Sequence, residues 1–275
     1  MRGNGMNIRR QPPKLRRLHI NRVIPNVLTL LALAAGLSAF RFALEGRWEH
    51  AVLAIVAAGI FDALDGRVAR MLRGQSRFGA ELDSLSDFVC FSVAPGLVLY
   101  LWALQEYGRV GWALVLLLCM CCALRLARFN TALDDEVKPA WTGSFFTGVP
   151  SPAGAGLVML PMVFWLQLDA DFLRQPAFAG VFMVAGALLM ISKVRTFSLK
   201  RVRIPQTYVL PVMFGCGVYL AILVTHPWIM LGMTQIAYLA SIPFSARMYR
   251  RLARESVKHD NEPTEHAPIS HRLGM

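Results

Sequence analysis

Long apolar runs separated by short basic segments are the feature that most constrains how this 275-residue chain can fold. Several runs approach or exceed the roughly 20 residues that a helix needs to cross a hydrocarbon core. Charged residues make up only 17% of the sequence, and its mean hydropathy is +0.45. Soluble domains usually carry about 25% charged residues. The sequence therefore predicts an all-α membrane protein.

The apolar runs predict a bundle of about eight transmembrane helices. The predicted spans are roughly 24–44, 48–71, 83–104, 110–130, 148–168, 177–195, 206–225 and 227–246. Residues 1–22 form a basic arm, which we interpret as retained because no small-residue cleavage site follows the first apolar run. A transmembrane domain then covers 23–247. The polar tail, 248–275, is expected to be disordered past Lys258.

The net charge of +12 is distributed unevenly among the connections between spans. If both termini are cytoplasmic, the inside segments hold 25 of the 29 Lys and Arg residues, and the outside loops hold 4. Cytoplasmic loops of membrane proteins carry such an excess. The asymmetry therefore predicts a multi-pass protein of the cell (inner) membrane, and it explains the basic composition without a nucleic-acid partner.

Four aspartates lie at membrane depth in the second and third predicted spans: Asp62, Asp65, Asp83 and Asp87. Each carboxylate at such a depth costs a few kcal/mol unless it is paired or hydrated. The i, i+3 and i, i+4 spacings place each pair on one helix face, so two antiparallel helices could turn all four towards one point. Carboxylate oxygens are ligands that Mg²⁺, Mn²⁺ and Ca²⁺ prefer, so a divalent cation would compensate the charge.

The spacing of these carboxylates is also compatible with two arrangements that need no bound metal. Four arginines follow closely and could neutralise them through ion pairs: Arg67, Arg70, Arg73 and Arg77. A cation or proton pathway in a transporter would also place carboxylates inside a membrane. A transporter would move solute without releasing a nucleotide. No second Asp-rich span in the C-terminal half suggests the inverted repeat that is common in transporters.

The aspartates belong to a longer pattern, D-x2-D-G-x2-A-R-x8-G-x3-D-x3-D, from Asp62 to Asp87. This pattern resembles, without a departure, the signature of the CDP-alcohol phosphatidyltransferase family. The resemblance implies a homodimeric enzyme among membrane lipids, in which an alcohol displaces CMP from CDP-diacylglycerol. It also implies a site near the cytoplasmic ends of the second and third spans.

The resemblance further implies individual roles. The four aspartates would bind Mg²⁺ or Mn²⁺ (Ca²⁺ is possible), as two ions, and Asp87 would also accept the proton of the alcohol. Phosphoryl transfer needs positioning and charge neutralisation more than covalent help, which suits such residues. The residues implied for CDP-diacylglycerol are Asn26, Thr29, Gly66, Arg70, Ser76 and Gly79. Helix capping accounts for Asn26 and Thr29 equally well, and small-residue helix packing is an alternative for the two glycines.

Two downstream segments, 124–131 and 145–155, bear on the acceptor alcohol. Both look like segments of the integral-membrane phosphatidylserine synthases in this family, which implies L-serine as the acceptor. Glycerol 3-phosphate and inositol phosphate remain alternatives. Basic residues near the cytoplasmic face could bind the serine carboxylate, and we favour Arg128 over Arg125, Lys193 and Arg195. Each could equally be a charge that only sets topology.

Overall fold

The computed structural model describes residues 20–134, 145–192, 194–197 and 208–260. Within these ranges the chain is almost entirely helical. The α-helices are α1 (Ile20–Leu44), α2 (Trp48–Met71), α3 (Arg77–Phe88), α4 (Ala94–Trp102), α5 (Arg109–Asp134), α6 (Ser151–Leu168), α7 (Pro176–Ile191), α8 (Val209–Thr225) and α9 (Pro227–Asp260). Short 3₁₀ turns, Leu104–Tyr107 and Asp171–Arg174, precede α5 and α7.

Each of the eight predicted spans coincides with helical structure, so the predicted helical fold class is confirmed. A small antiparallel sheet adds to it: β1 (Phe145–Thr147) pairs with β2 (Arg195–Phe197). The predicted spans 148–168 and 177–195 were wrong at these ends. Gly148 has a φ of +81°, which no right-handed helix contains. Ser192 has the extended ψ of 158°, and α7 therefore ends at Ile191.

Within the described residues, four helical segments are long and apolar enough to cross a membrane: Asn21–Leu44, Arg77–Trp102, Arg109–Thr131 and Ser151–Leu168. Two shorter apolar helices cover Pro176–Ile191 and Leu210–Thr225. Large apolar side chains such as Leu37, Val181 and Val224 are exposed on the outside of the bundle. Soluble proteins rarely expose so much apolar surface. The chain is thus a multi-pass membrane protein, whereas the count of eight spans and the cytoplasmic termini remain predictions.

The third predicted span is built from two α-helices joined without a break. Residues Val89–Val93 form a π-helical turn between α3 and α4. Cys90, Phe91 and Ser92 of this turn are buried. Because a π-helical turn holds more residues than an α-helical one, it changes the direction in which the following side chains point.

The core lies where α4, α5, α6 and α7 meet, around the fully buried Trp102, Leu118, Met162 and Met183. Two of these helices, α6 and α7, approach closely because glycine lies at their contact. A Cβ atom added to Gly186 would lie 2.6 Å from Cγ2 of Val158. By contrast, α8 packs mainly against α9 and is exposed along nearly all of its length.

We expect Gly186→Val to lower the thermal unfolding midpoint by several degrees, because overpacking a helix contact costs about 1–3 kcal/mol. The matched control is Gly217→Val in α8, where an added Cβ meets nothing within 4 Å. Both variants place the same β-branched residue in a helix, so their difference isolates packing. The measurement is thermal unfolding of the purified protein in detergent. Equal shifts in the two variants would contradict the packing described for α6 and α7.

Candidate active site

Helices α2 and α3 bring three of the four predicted aspartates into one group. Carboxylate oxygens of Asp62, Asp83 and Asp87 all lie within 4.8 Å of one another. Asp83 and Asp87 are about one turn apart on α3, so both point from the helix face that meets Asp62. The predicted convergence of two helices is therefore confirmed for these three residues, called the aspartate cluster below.

Asp65 lies beside the aspartate cluster and is held by a different helix. Its side chain is buried, with 4% exposed, and its Oδ2 accepts a 2.6 Å hydrogen bond from Oγ1 of Thr29 on α1. The charge of Asp65 acts on both Asp62 and Asp83. Thr29 thus fixes the orientation of a carboxylate that adds to the negative charge of the cluster.

Further hydrogen bonds tie α1 to α3 directly behind the aspartate cluster. Ser86 Oγ donates to the carbonyl of Thr29 at 3.2 Å, and Cys90 Sγ donates to the carbonyl of Ala32 at 3.2 Å. Both side chains are buried. An added Cβ at Gly36 would lie 2.7 Å from Cys90 Sγ, so glycine permits this approach. The position of α3 relative to α1 is therefore set within one helical turn of Asp87.

Three further residues of the predicted site meet where α1 passes the start of α3. Asn26 and Thr29 lie inside α1, which begins at Ile20, so the capping alternative is wrong for both. Ser76 is the N-cap of α3, and its Oγ accepts a 3.0 Å hydrogen bond from the Gly79 amide. A Cβ on Gly79 would lie 3.0 Å from Oδ1 of Asn26. Glycine at this position lets α3 approach Asn26 closely.

Gly66 and Arg70 lie on α2 next to the aspartates. A Cβ on Gly66 would meet only the Arg70 guanidinium, at 3.6 Å, so helix packing does not account for glycine here. Arg70 is exposed. Among the described residues, the nitrogens of Arg67, Arg70, Arg73 and Arg77 all lie more than 4.0 Å from any carboxylate oxygen. The ion-pair alternative for the aspartates is therefore wrong within this part of the chain.

The electrostatics of the aspartate cluster require positive charge. The carboxylates of Asp62 and Asp87 contact each other, and Oδ1 of Asp87 is buried with no hydrogen-bond partner among the described residues. Ionised carboxylates so close together repel strongly where the dielectric constant is low. An orphaned carboxylate oxygen beside two other carboxylates is a donor set that fits a divalent cation such as Mg²⁺, Mn²⁺ or Ca²⁺.

Arg125 on α5 is a cation that acts directly on the aspartate cluster. Its charge interacts with Asp87. Its Nη1 donates a hydrogen bond to Oγ of Ser151, the fully buried first residue of α6. The Arg125 Nε is buried and has no hydrogen-bond partner among the residues that the structure describes. Among the predicted acceptor-binding residues whose side chains the structure describes, Arg125 is thus the one whose charge acts on Asp87.

The other three predicted acceptor-binding residues have different surroundings. Arg128 donates hydrogen bonds to the carbonyls of Ile191 at 3.0 Å and Ser192 at 3.2 Å. These carbonyls are at the end of α7, where an arginine commonly stabilises a helix terminus. Arg195 belongs to β2, but its side chain is outside the described part of the structure, and Lys193 lies outside the described residues altogether. The described contacts thus differ: Arg125 acts on Asp87, whereas Arg128 binds the end of α7.

Sequence reasoning missed several polar residues that support the site. Asn130 Nδ2 donates to Ser84 Oγ at 3.0 Å, which ties the end of α5 to α3. Ser86 and Ser151 make the contacts described above. A signal existed for two of them, because Ser84 and Ser86 lie between Asp83 and Asp87 and are polar within an otherwise apolar span. Asn130 and Ser151 lie in the segments 124–131 and 145–155 that bear on the acceptor, but nothing within those segments marked these two residues.

The described residues thus define a class: helical membrane proteins that gather carboxylates, which fit a divalent cation, at one point in the bundle. Comparison with known proteins gives the family. Residues 22–192 match the family model described as CDP-alcohol phosphatidyltransferase, and residues 207–243 match the one described as CDP-alcohol phosphatidyltransferase 2. The chain belongs to the CDP-alcohol phosphatidyltransferase family, and the resemblance inferred from the Asp62–Asp87 pattern is confirmed.

Relatives with a similar sequence carry a more specific name. A CDP-diacylglycerol–serine O-phosphatidyltransferase of Mycobacterium tuberculosis (strain CDC 1551 / Oshkosh) is 37% identical over 247 residues, covering 90% of this chain and 86% of the relative. The protein of that name from Mycobacterium leprae (strain TN) is 38% identical over 250 residues, covering 91% and 83%. An archaetidylserine synthase of Methanothermobacter thermautotrophicus is 30% identical, covering 62% and 68%.

We expect Thr29→Val to weaken divalent-metal binding by about 10- to 100-fold, because groups that orient metal ligands have effects of this size. Valine keeps the shape of threonine but cannot donate to Asp65. The measurement is a Mn²⁺ titration of the purified protein followed by electron paramagnetic resonance.

The matched control for this experiment is Thr225→Val. Thr225, like Thr29, donates to the carbonyl four residues earlier in its helix, but it is exposed and makes no contact with a carboxylate. Its Mn²⁺ affinity should equal that of the unaltered protein. If both valine variants bound Mn²⁺ equally well, the hydrogen bond from Thr29 would have no part in organising the site.

Proposed function

We propose that this protein transfers the phosphatidyl group of CDP-diacylglycerol to the hydroxyl of L-serine, giving phosphatidylserine and CMP. The observation that carries the proposal is the aspartate cluster, in a chain similar over 90% of its length to a relative named for this reaction. Three carboxylates at one point in a membrane bundle cost free energy, and ionisable residues at such depth usually have a function. A reaction on a pyrophosphate, which needs charge neutralisation, gives them one.

In the proposed reaction the serine hydroxyl oxygen attacks the phosphorus that bears diacylglycerol. A new P–O bond forms to serine, and the P–O bond to CMP breaks, so CMP leaves with the bonding electron pair. The hydroxyl proton passes to a base. No oxidant or further co-substrate is needed; the ester bond between diacylglycerol and this phosphorus is retained, and the new bond to serine makes the product a phosphodiester.

The residues that would hold Mg²⁺ or Mn²⁺, with Ca²⁺ a further candidate, are Asp62, Asp65, Asp83 and Asp87, and we propose two ions. When bound, the ions supply positive charge that neutralises the pyrophosphate and the developing charge on its oxygens. Asp65 has the least freedom of the four, because Thr29 holds it on α1. We infer that Asp65 fixes the position of the metal site and that Asp62 and Asp83 supply further ligands to it.

Asp87 is the proposed general base. Its Oδ1 has no hydrogen-bond partner among the described residues, so this oxygen is available to accept the serine proton. A general base must lie within hydrogen-bond reach of the proton it removes, and such groups contribute about 10²- to 10⁴-fold to rates.

CDP-diacylglycerol is proposed to lie along the side of α2 that carries Gly66 and Arg70. The open space beside Gly66 would let the nucleotide approach the helix backbone, and the exposed Arg70 would contact a phosphate oxygen. Asn26, Ser76 and Gly79 lie together where α1 meets α3. Their proposed role, together with Thr29, is to shape the nucleotide-binding surface next to the aspartates.

The serine carboxylate is proposed to bind Arg125. This guanidinium is anchored on Ser151 at the start of α6, and its buried Nε has no hydrogen-bond partner among the described residues. Helix N-termini also favour anions. Arg128 is assigned to the structure of the α7 terminus instead, because two carbonyls already accept its hydrogen bonds. For Lys193 and Arg195, contact with serine remains a proposal from the sequence.

We also propose that the site opens to the cytoplasm in the cell (inner) membrane and that the protein is a homodimer. The uneven distribution of Lys and Arg supports the orientation, since the predicted inside segments carry 25 of the 29 basic residues and include the segment between the two pairs of aspartates. Such a site would take CDP-diacylglycerol sideways from the membrane lipids and serine from water.

The first test follows CMP release by the purified protein in detergent with CDP-diacylglycerol and Mg²⁺ or Mn²⁺. The acceptors compared are L-serine, glycerol 3-phosphate, inositol phosphate and none. We expect release to be stimulated by serine, abolished by a chelator and reduced by about 10²- to 10⁴-fold in Asp87→Asn. Stimulation by another acceptor would overturn the choice of serine and keep the reaction type.

The matched control for Asp87 is Asp169→Asn. Asp169 is exposed at the end of α6 with a φ of +48°, a conformation that asparagine tolerates well. The Asp169→Asn variant should release CMP at the rate of the unaltered protein. Equal activity of the two asparagine variants would rule out Asp87 as the base, and no release with any acceptor would reject the enzyme itself.

A second test separates the two arginines of α5. Arg125→Gln should raise the KM for serine by about 10- to 100-fold, because a hydrogen bond to a charged group contributes about 1.5–3 kcal/mol. Arg128→Gln should instead lower the unfolding midpoint and leave the KM for serine unchanged. Steady-state kinetics and thermal unfolding of both variants provide the measurement. The opposite pattern would return the serine carboxylate to Arg128.

A further inference from the structure

A second polar concavity lies at the end of the bundle away from the aspartate cluster. It is a cavity of about 370 Å³, lined on one side by residues that follow α4 and on the other by those that precede α7. Fifteen residues of nearly continuous helix separate Asp87 from Trp102 at its edge, which corresponds to about 22 Å along the helix axis. This cavity, called the far-end cavity here, is therefore separate from the proposed active site.

Arg174 is the cation of the far-end cavity, and it is held in place. Its Nε donates a 3.0 Å hydrogen bond to the carbonyl of Trp102, and its guanidinium lies over the Trp165 ring, 5.7 Å from the ring centre. Within the described part of the chain, no carboxylate oxygen lies within 4.0 Å of its nitrogens. The hydrogen bond uses one N–H group of the guanidinium and the ring covers one of its faces. The remaining N–H groups can therefore donate hydrogen bonds to an anion.

Two carboxylates line the same cavity without pairing with this arginine. Asp171 and Glu106 are both exposed residues of the lining, and Gln105 and Gln175 complete its polar surface. Opposite charges on flexible side chains usually meet when nothing keeps them apart. Arg174 and Asp171 both belong to the turn that precedes α7, and Glu106 lies on the opposite wall, which follows α4. The space between them suits a ligand that itself carries both charges.

Aromatic residues place the far-end cavity at the depth of lipid head groups. Trp102 and Trp165 pack edge to face with ring centres 5.8 Å apart, and Tyr100 packs against Trp112 at 5.6 Å. Trp112 and the nearby Tyr107 are exposed on the bundle surface. Tryptophan and tyrosine concentrate at the two membrane–water interfaces. From the exposed Trp112 and Tyr107 we infer that the cavity opens where the phosphate and amine groups of a leaflet lie.

We propose that the far-end cavity binds the head group of a zwitterionic phospholipid. The phosphate diester would accept hydrogen bonds from Arg174, and a primary ammonium group would lie between Asp171 and Glu106. The proposal needs no turnover and concerns the opposite end of the bundle. Its test is therefore independent of the test of the proposed reaction.

The test uses the delipidated full-length protein in detergent, with bound lipid counted by native mass spectrometry. Phosphatidylethanolamine is compared with phosphatidylglycerol, which has the phosphate but no ammonium. We expect phosphatidylethanolamine to bind about tenfold more tightly, because a charge-assisted hydrogen bond contributes about 1.5–3 kcal/mol. Arg174→Gln should remove this binding. Asp171→Asn, which alters an exposed side chain, should remove the preference between the two lipids.

The matched control is Arg109→Gln, an exposed arginine at the start of α5 that does not line the cavity. It should bind phosphatidylethanolamine like the unaltered protein. An excess of water-soluble glycerophosphoethanolamine distinguishes the sources: retention of the lipid indicates a bilayer ligand, and displacement indicates that a free head group suffices. Equal binding of both lipids by the unaltered protein, or unchanged binding in Arg174→Gln, would overturn the proposal.

Discussion

The gathering of negative charge inside a low-dielectric bundle is the constraint on which the rest of this structure depends. Asp62, Asp83 and Asp87 lie within 4.8 Å of one another through their carboxylate oxygens. Such an arrangement is unfavourable in a membrane unless cations offset it. The neighbouring arginines of α2 and the following loop stay out of ion-pair range, and Arg125 alone cannot neutralise the group. This is the arrangement from which we propose that the site takes up divalent cations.

Helix α1 provides the rigid support for this arrangement. One residue, Thr29, donates a hydrogen bond from its hydroxyl to Asp65 of α2, and its carbonyl accepts one from Ser86 of α3. Two helices that carry carboxylates are thereby fixed to a third that carries none. Since repelling charges tend to separate, such a brace keeps the ligand-binding geometry in place before any cation arrives. Functional groups require this kind of pre-organisation to act with defined geometry.

Sequence analysis predicted the helices and the aspartates because both follow from local patterns. Apolar runs indicate helices in a membrane protein. The i, i+3 and i, i+4 spacings between Asp62 and Asp87 place each pair of aspartates on one face of its helix. The roles of Arg125 and Arg128 could not be predicted in this way. They are three residues apart on α5, and only the end of α7, distant in sequence, determines that Arg128 binds carbonyls. The pairing of β1 and β2 likewise joins segments whose three residues show no strand periodicity.

The π-helical turn after Asp87 has a consequence for how this membrane segment can change. Side chains before Val89 face the carboxylates, and side chains after Val93 belong to the core around Trp102. The turn sets the angular phase between these two halves, since its extra residue rotates one half by about 100° relative to the other. Loss of a single residue there would aim the carboxylates away from their partners while the core stayed packed. The number of residues in this segment is thus as constrained as their types.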